Sequence, residues 1–164
     1  MSEPRTYYYE TEIEWKHDTE GSVGASGLAP IEIGAPPEFD GRAGVWSPEH
    51  LFVAALNGCY MLTFLAVARF SRIEVRGFSS TATGKLEKTP SGTYQITEVV
   101  VKPRITLASA ADLARMPRVL EKAKENCYIS NSIKSAIKIL PEVFHQQTPA
   151  SPCPLGDAPF SRAS

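Results

Sequence analysis

Residues 47–70 read SPEHLFVAALNGCYMLTFLAVARF. Ser47 suits a helix N-cap, Pro48 the first helical position and Glu49 the first turn, so the pattern predicts a helix from about Pro48 to Phe70. Between Leu51 and Ala68 the only clearly polar side chains are Asn57 and Thr63. Apolar residues lie on every face, so the helix needs cover on nearly all sides. A run of about 18 apolar residues also reaches the lower length limit of a membrane span. The absence of a second such run, and soluble-core patterning elsewhere, argue against a membrane. One domain rarely encloses so long a helix by itself, and a partner subunit is the simplest cover.

Outward from this helix the chain reads as strands. Tyr7 to Trp15 is rich in aromatic and branched residues and predicts a strand; Gly21 to Gly27 reads as a turn or mobile loop. Leu28 to Ile33 reads as a second strand, which Pro30 confines to a sheet edge. After the helix, Ile73 to Glu87 and Thr93 to Leu107 predict two strands joined through Lys88–Gly92. Ala110 to Glu125 has an apolar face at Leu113, Met116, Leu120 and Ala123, with Ser109 as N-cap. Pro117 inside it predicts a kink or a break into two helices. Tyr128 to Ala136 reads as a short helical turn and Ile137 to Val143 as a last strand near Pro141. The order of strands, long helix, strands, helix and strand is that of an α+β fold. One domain is expected over residues 1–144, with residues 145–164 a disordered tail poor in groups that pack.

The 164 residues carry a net charge of -1 and no run of basic side chains, which speaks against nucleic acid as a partner. Met1 to Glu10 has no basic stretch leading into an apolar one, so no secretory signal is expected and the cytoplasm is the expected location. The three cysteines are widely spaced, without metal-ligand spacing, and are expected to be reduced thiols there.

Two of them stand in telling places. Cys59 lies in the apolar helix beside Gly58, and Cys127 follows the second helical region. Buried free cysteine is commonly an inert small hydrophobe, but a mid-helix glycine often marks close approach by another group. A reactive thiol needs a lowered pKa, and Cys59 is too far into the helix for its N-terminal dipole to supply one. Glu49, ten residues earlier, lies about 80° away around the helix and roughly 15 Å away along it. The two cannot touch, but an arginine held by the carboxylate could offer its charge to sulfur. Glu49 can equally serve only to complement the helix N-terminus.

The segment Ser47-Pro48-Glu49 to Asn57-Gly58-Cys59-Tyr60 resembles the OsmC/Ohr family, the osmotically inducible protein C and organic hydroperoxide resistance proteins. That family opens its helix with Asn/Ser-Pro-Glu and places Ala-Cys or Gly-Cys ten residues after the glutamate. Lys124-Glu125-Asn126-Cys127-Tyr128-Ile129-Ser130 is similar to its second cysteine segment, usually Cys-Pro followed by a hydrophobic residue and serine.

The resemblance implies an intertwined homodimer, with antiparallel sheets wrapped around long buried central helices. It implies that Cys59 reduces an organic hydroperoxide and becomes a sulfenic acid, which Cys127 resolves to a disulfide. A dithiol reductant, in some members a lipoylated protein, would restore both thiols, with no metal or organic cofactor. A resolving thiol guards a sulfenic acid from over-oxidation, which makes the scheme chemically coherent. Two departures matter. Lys16 to Pro30 lacks the arginine that activates the first cysteine in the peroxidase branch, leaving Arg42 as the nearest substitute unless it is a solvated loop residue. Tyr128 stands where proline usually follows the second cysteine. The competing readings are a dimeric binding or redox-sensing member with weak or no peroxidase activity and, further off, a membrane-embedded or structural protein.

Overall fold

The computed structural model describes residues 5–145. Apart from His145, the expected tail, and with it Cys153, lies outside the described residues. The chain divides into two compact units, residues 1–52 and 53–164, with the division inside the long helix.

In the first unit, β1 (Glu12–His17), β2 (Glu20–Gly24) and β3 (Ile31–Gly34) form an antiparallel sheet in that order. β3 lies at the sheet edge as expected, but it starts only after Pro30 and runs Ile31–Gly34 where Leu28–Ile33 was expected. The stretch expected to be a turn or loop from Gly21 is instead the central strand β2. The reason is steric: a Cβ on Gly21 would lie 2.6 Å from the carbonyl oxygen of Glu14. Glycine here allows β1 to approach, so it serves a strand and does not mark a loop. The register separates the two faces. Ile13, Val23 and Ile31 align across the sheet, as do Trp15, Gly21 and Ile33. The opposite face carries Glu14, Ser22 and Glu32 in line, with Glu20 beside them. Ile13 and Trp15 remain 70% and 72% exposed, so the apolar face is uncovered in the single chain.

The long helix α1 (Pro48–Phe70) has the predicted bounds. Ser47 caps it as expected: its hydroxyl accepts the His50 amide at 3.3 Å and its carbonyl accepts the Leu51 amide at 3.0 Å.

In the second unit, β4 (Val75–Lys88) and β5 (Tyr94–Leu107) form a long antiparallel hairpin. Along the same side of β5 run β6 (Ala136–Ile139), against Glu98–Val101, and β7 (Glu142–His145), against Arg104–Leu107, both parallel to it. The single last strand expected over Ile137–Val143 is thus two. The break at Leu140–Pro141 falls opposite the interval of β5 that holds Pro103, and neither proline has an amide for the ladder. The helical region after β5 also divides near Pro117, into a 3-10 turn (Ala110–Arg115) and α2 (Met116–Glu125). Ser109 caps the turn by accepting the Ala111 amide at 3.2 Å. A short helix, α3 (Tyr128–Ser132), follows with Cys127 at its N-cap.

α1 packs on this sheet through Leu56, Tyr60, Phe64 and Ala68, a stripe at four-residue spacing that is almost wholly buried. Phe64 meets Phe78 of β4 at 5.6 Å between ring centroids. Gly84 of β4 makes room for Val53, whose Cγ2 would be 2.6 Å from an added Cβ. On the sheet side Val99, Val101, Pro103, Ile105 and Leu107 of β5 are buried, and Met116, Val119 and Ala123 of α2 are buried with them. Among the described residues the other flanks of α1 are only partly covered. Leu62 is 63% exposed, and a Cβ on Gly58 would meet nothing within 4 Å. Long and apolar enough to cross a membrane by composition, α1 nonetheless presses one complete stripe onto a sheet.

Truncating Phe64→Ala removes the ring that joins α1 to β4 and should cost about 3–5 kcal/mol. Urea unfolding measures this, and a loss below about 1 kcal/mol would refute the packing described.

Candidate active site

Cys59 and Tyr60 are adjacent on α1, with Tyr60 in the buried stripe and Cys59 at its margin, half-buried. Cys127 is fully buried at the start of α3. The fold brings the two thiols near one another, so that each bears on the other's ionisation. Both are free thiols.

Their electrostatics diverge. Burial pushes the Cys59 thiol up, but hydrogen bonds to its sulfur outweigh it and leave the pKa below the ordinary thiol value. These come from the Ile129 amide, the Cys127 thiol, the Thr63 hydroxyl and the Tyr128 amide. Thr63 has one proton to give, and its oxygen also lies 2.8 Å from the Cys59 carbonyl oxygen, the usual back-bond of a mid-helix threonine. Cys127 moves the other way. Burial and the neighbouring Cys59 raise its pKa, and contacts from the Ser130 hydroxyl and amide only partly offset them. The two thiols are thus shifted in opposite directions, Cys59 toward the thiolate and Cys127 toward the thiol.

Tyr60 completes the floor. Its hydroxyl is buried without a hydrogen-bond partner among the described residues, and its pKa is driven up by burial and by the nearby Cys127 and Glu121. Sequence reasoning passed over Tyr60, Thr63, Ser130 and the two amides. Thr63 lies four residues after Cys59, on the same helix face, and Ser130 three after Cys127, at N-cap spacing. Those offsets were the available signals. Nothing in a side-chain pattern announces the amides.

The other two anticipated residues lie in the first unit. Arg42 gives its guanidinium to Glu20, at 2.9 Å from Nε and from Nη2, and to Glu32 at 3.2 Å. Lys16 also bonds Glu32, at 3.0 Å. These cations hold both carboxyls below the usual range, Glu20 chiefly through Arg42 and Glu32 through Lys16 and then Arg42. Glu49 borders a cavity of about 490 Å³ with Ile13, Trp15, Ile33 and Phe39 among its lining. One carboxylate oxygen of Glu49, Oε2, is buried without a hydrogen-bond partner among the described residues.

A family model for OsmC-like proteins matches residues 41–142, a span that holds both cysteines. The chain belongs to the OsmC-like family. Among related sequences, the uncharacterized protein YmaD of Bacillus subtilis is 26% identical over 117 residues, 70% of this chain and 77% of that protein. An OsmC-like protein of unknown function from Vibrio cholerae has a solved structure that superposes with a TM-score of 0.76 at 25% identity. The match covers 85% of this chain and 100% of that one. The organic hydroperoxide resistance protein OsmC of Legionella pneumophila superposes at 0.66 with 22% identity, over 86% of this chain and 99% of that one. The organic hydroperoxide resistance protein OhrB of Bacillus subtilis does so at 0.59 with 18% identity, over 84% and 98%. The expected OsmC-like α+β fold is therefore the fold found.

Proposed function

We propose that this OsmC-like protein is a thiol peroxidase that reduces organic hydroperoxides, with Cys59 as nucleophile and Cys127 as resolving thiol. The observation that carries the proposal is a pair of free thiols remote along the chain, Cys59 half-buried on α1 and Cys127 buried at the start of α3, that the fold brings near enough for each to act on the other's ionisation. The Cys59 thiolate attacks one oxygen of the hydroperoxide; an S–O bond forms, the O–O bond breaks, and the departing alkoxide takes a proton to become the alcohol. Sulfur is oxidised by two electrons to the sulfenic acid as the peroxide is reduced. Cys127 then attacks that sulfur, an S–S bond forms, and the hydroxyl leaves with the Cys127 proton as water. A dithiol, such as a lipoyl group on another protein, returns two electrons and frees both thiols. This cycle suits a reducing compartment such as the cytoplasm, where a lasting structural disulfide would not persist.

We also propose that the working form is a homodimer. Support comes from two apolar surfaces the single chain leaves open: the Ile13–Trp15 face of the first sheet, and the flank of α1 carrying Ala54, Ala55, Gly58 and Leu62. Uncovered apolar area of this extent marks an interface. In such a dimer the unpartnered Glu49 oxygen needs a donor, and Glu49 is the orienting carboxylate of the proposal. For Arg42 to act at sulfur it would have to leave Glu20 and Glu32. That commitment is the one observation favouring a binding or redox-sensing member with slow turnover.

With tert-butyl or cumene hydroperoxide, Cys59→Ser should abolish turnover. Cys127→Ser should give one turnover and a sulfenic acid trappable by dimedone. Wild-type activity in either variant, or oxidation of the wild type no faster than a free model thiol, would refute the mechanism. Sedimentation at micromolar concentration should return a dimer, and a monomer would contradict the proposed interface.

A further inference from the structure

The C-terminal end of α1 closes on a residue that the local backbone does not favour. Arg72 sits at φ 56, in the left-handed region. The Ile73 amide donates to the Ala68 carbonyl at 2.9 Å and the Arg72 amide to the Arg69 carbonyl at 3.0 Å. This pair of bonds makes a helix stop that ordinarily carries glycine where Arg72 stands. A side chain there strains the backbone as glycine would not. The helix dipole does not account for the arginine. Arg69 already lies in the last turn, and Arg115 gives its Nη2 to the Ser71 carbonyl.

The surroundings of the Arg72 side chain suggest another use. With Arg69 it borders a cavity of about 360 Å³, lined also by Leu65, Ala68, Ile73 and Val75. Glu74 reaches the same cavity but is paired with Arg76 at 2.8 Å. Asp112 is likewise taken by Arg115, at 2.8 Å. Among the described residues neither Arg69 nor Arg72 has a carboxylate partner; Arg69 lies over the exposed ring of Phe70, 5.7 Å from its centroid. The setting is basic as well. Residues 53–164 carry more lysine and arginine than aspartate and glutamate, although the whole chain has a net charge of -1.

We infer that this cavity binds a small amphipathic anion. Arg69 and Arg72 hold its head group, and a short apolar tail lies against Leu65, Ile73 and Val75. Guanidinium forks match the oxygens of a carboxylate and of a phosphate monoester alike. The apolar lining adds affinity for a tail that a bare inorganic ion lacks. The volume stands near the lower end of small-molecule sites, about 300–1,000 Å³, which limits the tail to a short one. The site is separate from the thiols: Arg69 lies ten residues beyond Cys59 on α1, roughly 15 Å along the helix. It does not depend on the proposed peroxidase chemistry.

Octanoate and octyl phosphate, titrated into the full-length protein labelled with nitrogen-15, test the inference by NMR. Both should give saturable amide shifts concentrated at Leu65–Val75, weakened by added salt. The tighter of the two assigns the head group. Octanol and inorganic phosphate, which each lack half of the ligand, should bind at least about tenfold more weakly. Arg72→Gly should lose about tenfold in affinity for the anionic probes. The same variant should melt no lower than the wild type, since glycine suits the left-handed position. Failure of both anionic probes to bind there would overturn the inference, as would octanol binding as well as octanoate. Wild-type affinity in Arg72→Gly would also overturn it, and a lower melting temperature in that variant would remove the case that arginine is kept there against the fold.

Discussion

The rotational setting of α1 is the constraint on which the rest depends. Leu56, Tyr60, Phe64 and Ala68 bury one stripe of this helix, and the Phe64–Phe78 contact and the notch at Gly84 fix it on the β4–β5 sheet. Cys59 is one residue off that stripe. Turned further in, it would be an inert core thiol; turned further out, it would lose Cys127. Held at the margin, its sulfur reaches the start of α3 and still lies next to the open flank of the helix. Packing thus decides the chemistry before any polar group acts.

The groups that draw the Cys59 pKa down are neutral. An ordered cation beside a part-buried sulfur must itself be stripped of water, which is costly unless it is otherwise paired. Main-chain amides at an unfinished helix end carry no such charge and are already without partners. They also cannot be lost by a side-chain substitution, proline excepted. The pair is asymmetric: the polar groups around Cys59 draw its pKa down, and burial with the neighbouring Cys59 pushes that of Cys127 up.

Much of this was legible in the chain. Ser47-Pro48-Glu49 marked the start of α1, and the continuous apolar run marked its length. Strands β4 and β5 followed from their branched residues, and Pro117 from its inability to sit quietly in a helix. The two cysteines stood out through their settings beside Gly58 and after Asn126. Less visible were features that depend on close approach of backbones. Gly21 looked like a loop residue because the strand that needs its missing Cβ is defined only by pairing, and the split at Leu140–Pro141 depends on what β5 presents opposite. Arg42 was singled out as the nearest guanidinium in sequence; its carboxylate partners, Glu20 and Glu32, become its neighbours only once β2 and β3 are paired. The amides of Tyr128 and Ile129 have no sequence signature beyond the absence of proline.

The central claim is that two thiols remote along one chain form a working redox pair. One equivalent of an organic hydroperoxide added to the reduced protein, followed by alkylation and non-reducing peptide mass mapping, tests it most directly. The account predicts a single new cross-link, Cys59 to Cys127 within the same chain, with the loss of two thiols per chain. A Cys59 driven on to sulfinic or sulfonic acid with Cys127 left free, or two thiols that both survive, would contradict it.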